Sequence, residues 1–280
     1  MTRLRRAIDE AAGTLTEAGI DSARVDAELL AAHTAGVDRG RLRFHDPAEP
    51  FFAAYRAVVD ARSQRIPLQH LIATAAFGPL VLEVGPGVFI PRPETESMLE
   101  WALTQRLSES PVIVDLCTGS GALALALADA TPGAHVIAVE DSAEALVYAR
   151  RNCAGRNVDL IEADVTAANL LGECDGSVDL VVSNPPYIPD GTTLEPEVAE
   201  HEPAHALFGG PDGMRVIIPI VALTARLLRH GGFVAVEHDD ATAAQTVALF
   251  EESGAFTDVT SRRDLAGRPR FVTATRKGSG

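Results

Sequence analysis

Val112-Ile113-Val114-Asp115-Leu116-Cys117-Thr118-Gly119-Ser120-Gly121 reads as a buried strand that runs directly into a glycine turn. Glycines at that point let the backbone turn tightly and come close to a ligand at the N-terminus of the next helix. The helix follows at once, as the small residues and leucines of Ala122–Ala130. The spacing Gly119-x-Gly121-x-x-Ala124 also satisfies a loose dinucleotide fingerprint, a weak signal by itself. Downstream the alternation continues: strand at 135–140, helix at 143–152, strands at 158–161 and 178–183, helix at 217–228, strand at 232–237. Strands near 256–260 and 270–275, with a helix over 243–252, bring the count to seven. Alternating strands and helices of this kind predict an α/β fold, a doubly wound and mostly parallel sheet.

Upstream the pattern differs. Leu4, Ile8, Ala11, Ala12 and Leu15 recur at helical spacing, with Gly19 as the stop. Asp21-Ser22 caps a second helix that ends near Gly36, and a third runs from about Pro50 through Tyr55, Val59 and Arg62. Leu80-Val81-Leu82-Glu83-Val84, between Gly78-Pro79 and Gly85-Pro86-Gly87, reads as a short hairpin. Glu94-Thr95-Glu96 opens a helix expected to pass Trp101 and reach Leu107. The expected organisation is a helical domain over 1–75, a hairpin linker over 76–93 and a large α/β domain over 94–280. Residues 277–280 read as a frayed or appended tail.

The chain has 280 residues, 46% of them hydrophobic and 22% charged, which excludes a disordered or fibrous protein. Its 39 acidic and 24 basic residues leave a net charge of -15, a field that repels phosphate. Cys117, Cys153 and Cys174 are odd in number and contain no Cys-x-x-Cys pair, so neither a disulfide framework nor a zinc site is expected. The histidines His201, His205 and His238 match no ligand spacing and read as surface or loop residues. No metal is expected. Neither a signal peptide nor an apolar run of membrane-spanning length is visible, so the expected compartment is the reducing cytoplasm.

The chemistry sits at strand ends. Glu140 closes the second strand of the alternating region, about twenty residues past the glycines, where a carboxylate accepts from both ribose hydroxyls. Asp141 beside it is the alternative. Asp164 follows the third strand, placed for the exocyclic amine of an adenine. A glycine loop and two such acids outline an adenosine site, without separating a nicotinamide cofactor from S-adenosylmethionine. Asn184-Pro185-Pro186-Tyr187 after the fourth strand separates them. Two prolines remove two backbone donors. The Asn184 side-chain oxygen and the Pro185 carbonyl are then free to accept hydrogens from a substrate NH2 group, with Tyr187 packed on the flat group that carries it. An amide nitrogen is a poor nucleophile, so positioning must supply much of the rate.

At these residues the chain resembles class I methyltransferases acting on planar NH2 nitrogens. Val84-Gly85-Pro86-Gly87-Val88-Phe89-Ile90-Pro91-Arg92-Pro93-Glu94-Thr95-Glu96 is similar to the linker signature of the HemK/PrmC family. So are Pro67-Leu68-Gln69-His70-Leu71-Ile72, Glu202-Pro203, Gly210-Pro211-Asp212-Gly213 and Asp264-Leu265-Ala266-Gly267-Arg268 with Arg270. The resemblance implies N5-methylation of the glutamine in the Gly-Gly-Gln motif of peptide chain release factors. The implied donor is S-adenosyl-L-methionine, leaving S-adenosyl-L-homocysteine. It maps Thr118, Gly119, Gly121, Glu140, Asp164 and Asn184 to the donor, and Asn184, Pro185, Pro186 and Tyr187 to catalysis. It further implies that residues 1–75 recognise the substrate protein, and a cytoplasmic monomer with no membrane or direct nucleic-acid partner. The chain departs from the family pattern at Cys117, His70 and Val165, where glycine, tyrosine and a bulky aromatic are usual. Arg92 is expected in an interdomain salt bridge rather than over the donor.

Two other functions fit parts of the pattern. A DNA amino-methyltransferase shares the Asn-Pro-Pro-Tyr turn but needs a target-recognition domain and a basic face. A nicotinamide-dependent oxidoreductase shares the glycine loop and Glu140 but gives the turn no role.

Overall fold

In the computed structural model, which describes residues 2–278, Leu4, Ile8, Ala11 and Leu15 line the buried face of α1 (Arg3–Glu17). Spacings of three and four residues stack them on one side of a 3.6-residue helix. The face packs on α2 (Ala23–Ala35) and α3 (Glu49–Ser63), and Tyr55 donates its hydroxyl to the Ala27 carbonyl at 2.8 Å. Gly36 ends α2 at φ 64°, the left-handed conformation that closes a helix most cheaply with glycine. A single further turn, α4 (Leu68–Ile72), covers the stretch that the sequence left unassigned.

The strands begin with a hairpin, β1 (Thr74–Phe77) and β2 (Leu80–Glu83). The helix α5 (Pro93–Leu103) starts at the proline, whose missing N–H costs nothing in a first turn, and stops short of Leu107. Thr104 and Gln105 turn their side chains back onto the Trp101 carbonyl, and the chain leaves the helix there.

The large sheet then follows the expected alternation. Its members are β3 (Val112–Leu116), β4 (His135–Glu140), β5 (Val158–Glu162), β6 (Val178–Ser183), β7 (Leu228–Glu237), β8 (Phe256–Arg263) and β9 (Pro269–Arg276). They lie in the order β5-β4-β3-β6-β7-β9-β8. The first five are parallel, and β9 pairs antiparallel with both β7 and β8. Side chains alternate along β3 with the period of two that a pleated strand imposes. Ile113 packs with Leu123 and Leu127 of α6 (Ala122–Ala130) and Met98 of α5. Val114 and Leu116 face the opposite layer, with Ile217 and Val221 of α9 (Ile217–Leu227) and Phe250 of α10 (Ala243–Glu252). The helix α7 (Ala143–Asn152) covers the β4–β5 flank. The strand β7 begins at Leu228, earlier than the expected residue 232. Its pairing with β6 shifts between Val178 and Leu180, an irregularity that Gly231-Gly232 hides from a reading of strand propensity.

The chain divides into two compact units. One comprises residues up to Thr74 together with Leu194–His201, and the other the remainder. Leu194–His201 contains the short helix α8 (Pro196–His201), absent from the sequence reading. Its Glu197 accepts from Arg62 at 2.9 Å and Arg65 at 2.6 Å, and the same Arg62 pairs with buried Asp26 at 2.8 Å. Ser279 and Gly280 of the expected tail lie outside the described residues. Among the described residues no helix is long and apolar enough to cross a membrane.

Candidate active site

A cavity of about 400 Å³ opens at the carboxyl ends of β3, β4, β5 and β6. Open parallel sheets bind ligands at that edge, where the strand order reverses. Thr118, Gly119, Glu140, Asp164, Asn184, Pro185, Pro186 and Tyr187 all line it. Gly121 does not. It stands at the N-cap of α6 with φ 84°, and a Cβ there would lie 2.9 Å from the Cys153 sulfur. Its task is to bring α6 close to its neighbour and so aim the helix N-terminus at the cavity. Cys117 is itself at φ 62°, which explains why glycine suits that position; the side chain costs roughly 1–3 kcal/mol of backbone strain.

Glu140 is nearly buried and organises the turn around it. One carboxylate oxygen accepts from the Gly119 N–H at 2.7 Å, the other from the Ser142 N–H at 3.0 Å. Burial pushes its carboxyl up, to about 7, against these two hydrogen bonds. Asp141 is exposed and makes no such contacts to the glycine loop, which favours Glu140 of the two candidates. Asp164 accepts from the Thr166 N–H at 2.7 Å, which holds its carboxyl below the usual range.

Asp115, which the sequence marks only as a strand residue, lines the same cavity. One of its oxygens accepts from the Thr118 hydroxyl at 2.5 Å and the Ala124 N–H at 3.1 Å; the other is buried without a partner. Burial pushes this carboxyl up to about 7, opposed by those same bonds. A buried oxygen with nothing to accept from marks a place for a ligand donor. Its sequence signal was a lone acid inside a run of branched apolar residues.

The Asn184-Pro185-Pro186-Tyr187 turn is fastened at both ends. The Asn184 NH2 group donates to the Thr95 hydroxyl at 3.2 Å, and the Thr95 hydroxyl donates to Glu237 at 2.8 Å. The Tyr187 hydroxyl donates to the other oxygen of Glu237, also at 2.8 Å. Glu237 ends β7 and is 1% exposed; burial pushes its carboxyl up to about 7, opposed by both hydroxyls and the positive charge of Arg270. Asp264 pairs with Arg270 at 3.4 Å, which gives the late sequence signature a physical reason.

The Gly210-Pro211-Asp212-Gly213 signature has one too. A Cβ on Gly213, at φ 77°, would run into the Tyr187 carbonyl oxygen, and one on Gly209 would lie 2.6 Å from that of Pro186. This loop is pressed backbone to backbone against the turn. Gly213→Ala is therefore expected to destabilise the protein by roughly 1–3 kcal/mol through the left-handed conformation alone, with displacement of Tyr187 adding to it. Chemical denaturation measures this, and an unshifted midpoint contradicts the close approach.

Arg92 corrects one expectation. Its guanidinium pairs with the buried carboxylate of Glu202, in the same compact unit, and lies 4.9 Å from the centre of the Phe89 ring. The Ile90 N–H reaches the second Glu202 oxygen at 3.2 Å. The salt bridge thus fixes the Pro-Arg-Pro turn whose Phe89 and Pro91 line the cavity. His238 is the second correction. It is fully buried beside Glu237, not on the surface, with Nδ1 2.9 Å from the Asp239 carbonyl. Glu140, Asp141 and His205 bring candidate ligand atoms within 4.8 Å of one another, a grouping that chain spacing conceals. No metal is assigned to it: Asp141 and His205 are exposed, and exposed acidic groups commonly gather without an ion.

Two family models match the chain, a methyltransferase small domain over residues 94–205 and a PrmC N-terminal domain over residues 6–72. A release factor glutamine methyltransferase of Mycolicibacterium smegmatis is 69% identical over 277 residues, covering 99% of each chain. The chain belongs to the release factor glutamine methyltransferase family. A member from Streptomyces coelicolor is 47% identical and covers 98% of each chain. A further relative, the 4-amino-L-phenylalanine/4-methylamino-L-phenylalanine methyltransferase of Streptomyces pristinaespiralis, is 41% identical over 92% of this chain and 91% of its own. Among solved structures, a methyltransferase from Pyrococcus furiosus superposes with a TM-score of 0.54 at 20% identity, over 73% of this chain and 92% of that one. That likeness is one of fold. Membership of this family makes the chain a methyltransferase and removes the nicotinamide oxidoreductase from consideration.

Proposed function

We propose that this enzyme transfers a methyl group from S-adenosyl-L-methionine to the side-chain amide nitrogen of the glutamine in the Gly-Gly-Gln motif of peptide chain release factors. The observation that carries the proposal is the orientation of Asn184 at the cavity. Its NH2 group is committed to Thr95, so its Oδ1 is left to accept from a substrate NH2. Pro185 has no N–H, and its carbonyl is the second acceptor beside it. Two acceptors on one planar NH2 fix the nitrogen's orientation before reaction. They also stabilise the positive charge that grows on its hydrogens as the N–C bond forms. Methylation replaces one N–H by N–CH3, and the displaced proton leaves to solvent.

The residues fit the donor. Glu140 has a second lone pair on each oxygen for the ribose hydroxyls, and Asp164 accepts from the adenine amine. The partnerless oxygen of Asp115 accepts from the ammonium of the methionine end. Thr118, Gly119 and the start of α6 border the same space. When bound, the donor supplies an electrophilic methyl group on a positively charged sulfur. The three free cysteines suit a reducing cytoplasm, where release factors work.

The test mixes the purified chain with isotopically labelled donor and a release factor. One glutamine is expected to take the label. Replacing it with asparagine shortens the reach by one methylene and is expected to abolish labelling. Labelling of duplex DNA without labelling of release factor supports the amino-methyltransferase of nucleic acid instead.

A further inference from the structure

We infer that Glu237 and Thr95 are positioning residues that set which end of the Asn184 amide faces the substrate, through a one-directional chain of hydrogen bonds. The inference rests on the proposed function and deepens it. An asparagine amide can sit in either of two orientations related by a flip, with its oxygen and nitrogen exchanged. Only one presents Oδ1 to a substrate NH2; the other opposes two NH2 groups and provides no acceptor. Nothing in the Asn-Pro-Pro-Tyr sequence itself chooses between them.

The choice is made behind the turn. A hydroxyl has one proton to donate and lone pairs with which to accept. Above about pH 7, where its raised carboxyl is ionised, Glu237 has only acceptors. The Thr95 proton is therefore drawn to Glu237, at 2.8 Å, and the Thr95 oxygen faces Asn184 as an acceptor. Asn184 can satisfy it only with its NH2 group, at 3.2 Å, which turns Oδ1 the other way. The second Glu237 oxygen is occupied by the Tyr187 hydroxyl, so the carboxylate anchors the first and last residues of the turn together. Three different elements meet here: Thr95 opens α5, Glu237 ends β7, and the turn follows β6. Their convergence explains why a threonine within the Pro-Glu-Thr-Glu segment and a glutamate nearly 150 residues later belong to one device.

The isosteric change Thr95→Val tests this by removing the hydroxyl while keeping the shape. The enzyme is expected to bind donor as the wild type does, to keep its KM for release factor, and to lose about half of its single-turnover methyl transfer rate. One hydrogen bond biases the two-state flip about tenfold, and without it the fraction presenting Oδ1 falls from about nine-tenths to about one-half. Thr95→Ser restores the hydroxyl and is expected to recover most of the rate. Glu237→Gln can offer its own NH2 to Thr95, which reverses the chain, and is expected to lose at least as much as Thr95→Val.

A double-mutant cycle separates positioning from general support of the fold. In an Asn184→Ala background no amide remains to orient, so adding Thr95→Val is expected to cost nothing further. Two results overturn the inference while leaving the proposed function standing: wild-type transfer by Thr95→Val, or losses that multiply fully in the double variant. A wild-type chain that labels no release factor overturns the proposed function, and this inference with it.

Discussion

Asn184→Ala is expected to keep its affinity for S-adenosyl-L-methionine nearly intact and to transfer methyl about 10²–10³-fold more slowly, the usual cost of losing one preorganised hydrogen-bonding group from a transition state. The two halves of that result come from different places in the cavity. Contacts to the donor's adenosine are assigned to the ends of β3, β4 and β5; Asn184 follows β6, and the donor role that the resemblance gives it includes none of them. Its side chain leaves no gap in the core, because the strand residues before it, Val181, Val182 and Ser183, carry the burial. Asn184→Asp is expected to fail for a further reason. A carboxylate cannot donate to Thr95, so the Thr95 hydroxyl would have to turn its proton toward residue 184 and away from Glu237. The measurement is single-turnover transfer beside calorimetric donor binding on one preparation. Wild-type turnover by Asn184→Ala reduces the motif to a chain reversal and removes the chemical basis of the assignment.

Glu140→Gln is expected to weaken donor binding by about 1.5–3 kcal/mol, or roughly 10- to 150-fold, since a charged acceptor of ribose hydroxyls is lost. The structure adds a cost that the sequence did not show. Each Glu140 oxygen holds a backbone N–H, of Gly119 or Ser142, and a glutamine must turn its NH2 toward one of them. The same residue gives binding a pH dependence whose sign is fixed. In the free protein burial raises the Glu140 carboxyl to about 7. Below that pH the group holds a proton that must leave before both oxygens can accept. Donor affinity is therefore expected to be full above about pH 7. It falls as pH drops through that value, by up to about tenfold per unit. Glu140→Gln flattens this dependence, leaving only the part that belongs to Asp115, whose carboxyl is likewise raised to about 7 and faces the donor's ammonium. Affinity that is flat with pH in the wild type, or unchanged in the variant, contradicts the assignment of Glu140.

Much of this site was legible along the chain because parallel α/β sheets collect ligands at strand ends. A glycine turn after β3, an acid at the end of β4, an acid after β5 and a proline turn after β6 are all local patterns. The sheet's regularity brings them to one edge. What stayed hidden was whatever depends on contacts between distant segments. Thr95 looked like a helix-opening threonine, and Glu237 like one more acid at a strand end. Only the crossing of α5 over the end of β7 joins them. Asp115 was hidden by its surroundings, since an acid within a buried strand has the same sequence signal whether it caps a turn or awaits a ligand. Burial of His238 was missed because residues after a strand usually reach solvent. The helix α8 was missed because a short acidic stretch after Pro196 carries no apolar face of its own. It is held by Arg62 and Arg65, more than a hundred residues earlier.

The central claim is that the motif turn presents a protein glutamine amide for methylation, and mapping the methyl group tests it most directly. A release factor and free 4-amino-L-phenylalanine, a planar NH2 compound named for a relative on the same scaffold, are offered together to the wild-type chain with S-adenosyl-L-methionine. Tandem mass spectrometry then locates the product. The expected outcome is a single methyl group on the side-chain nitrogen of the glutamine in Gly-Gly-Gln, with the free amino acid unmodified. A release factor that emerges unmethylated, or methylated at any other residue, contradicts it.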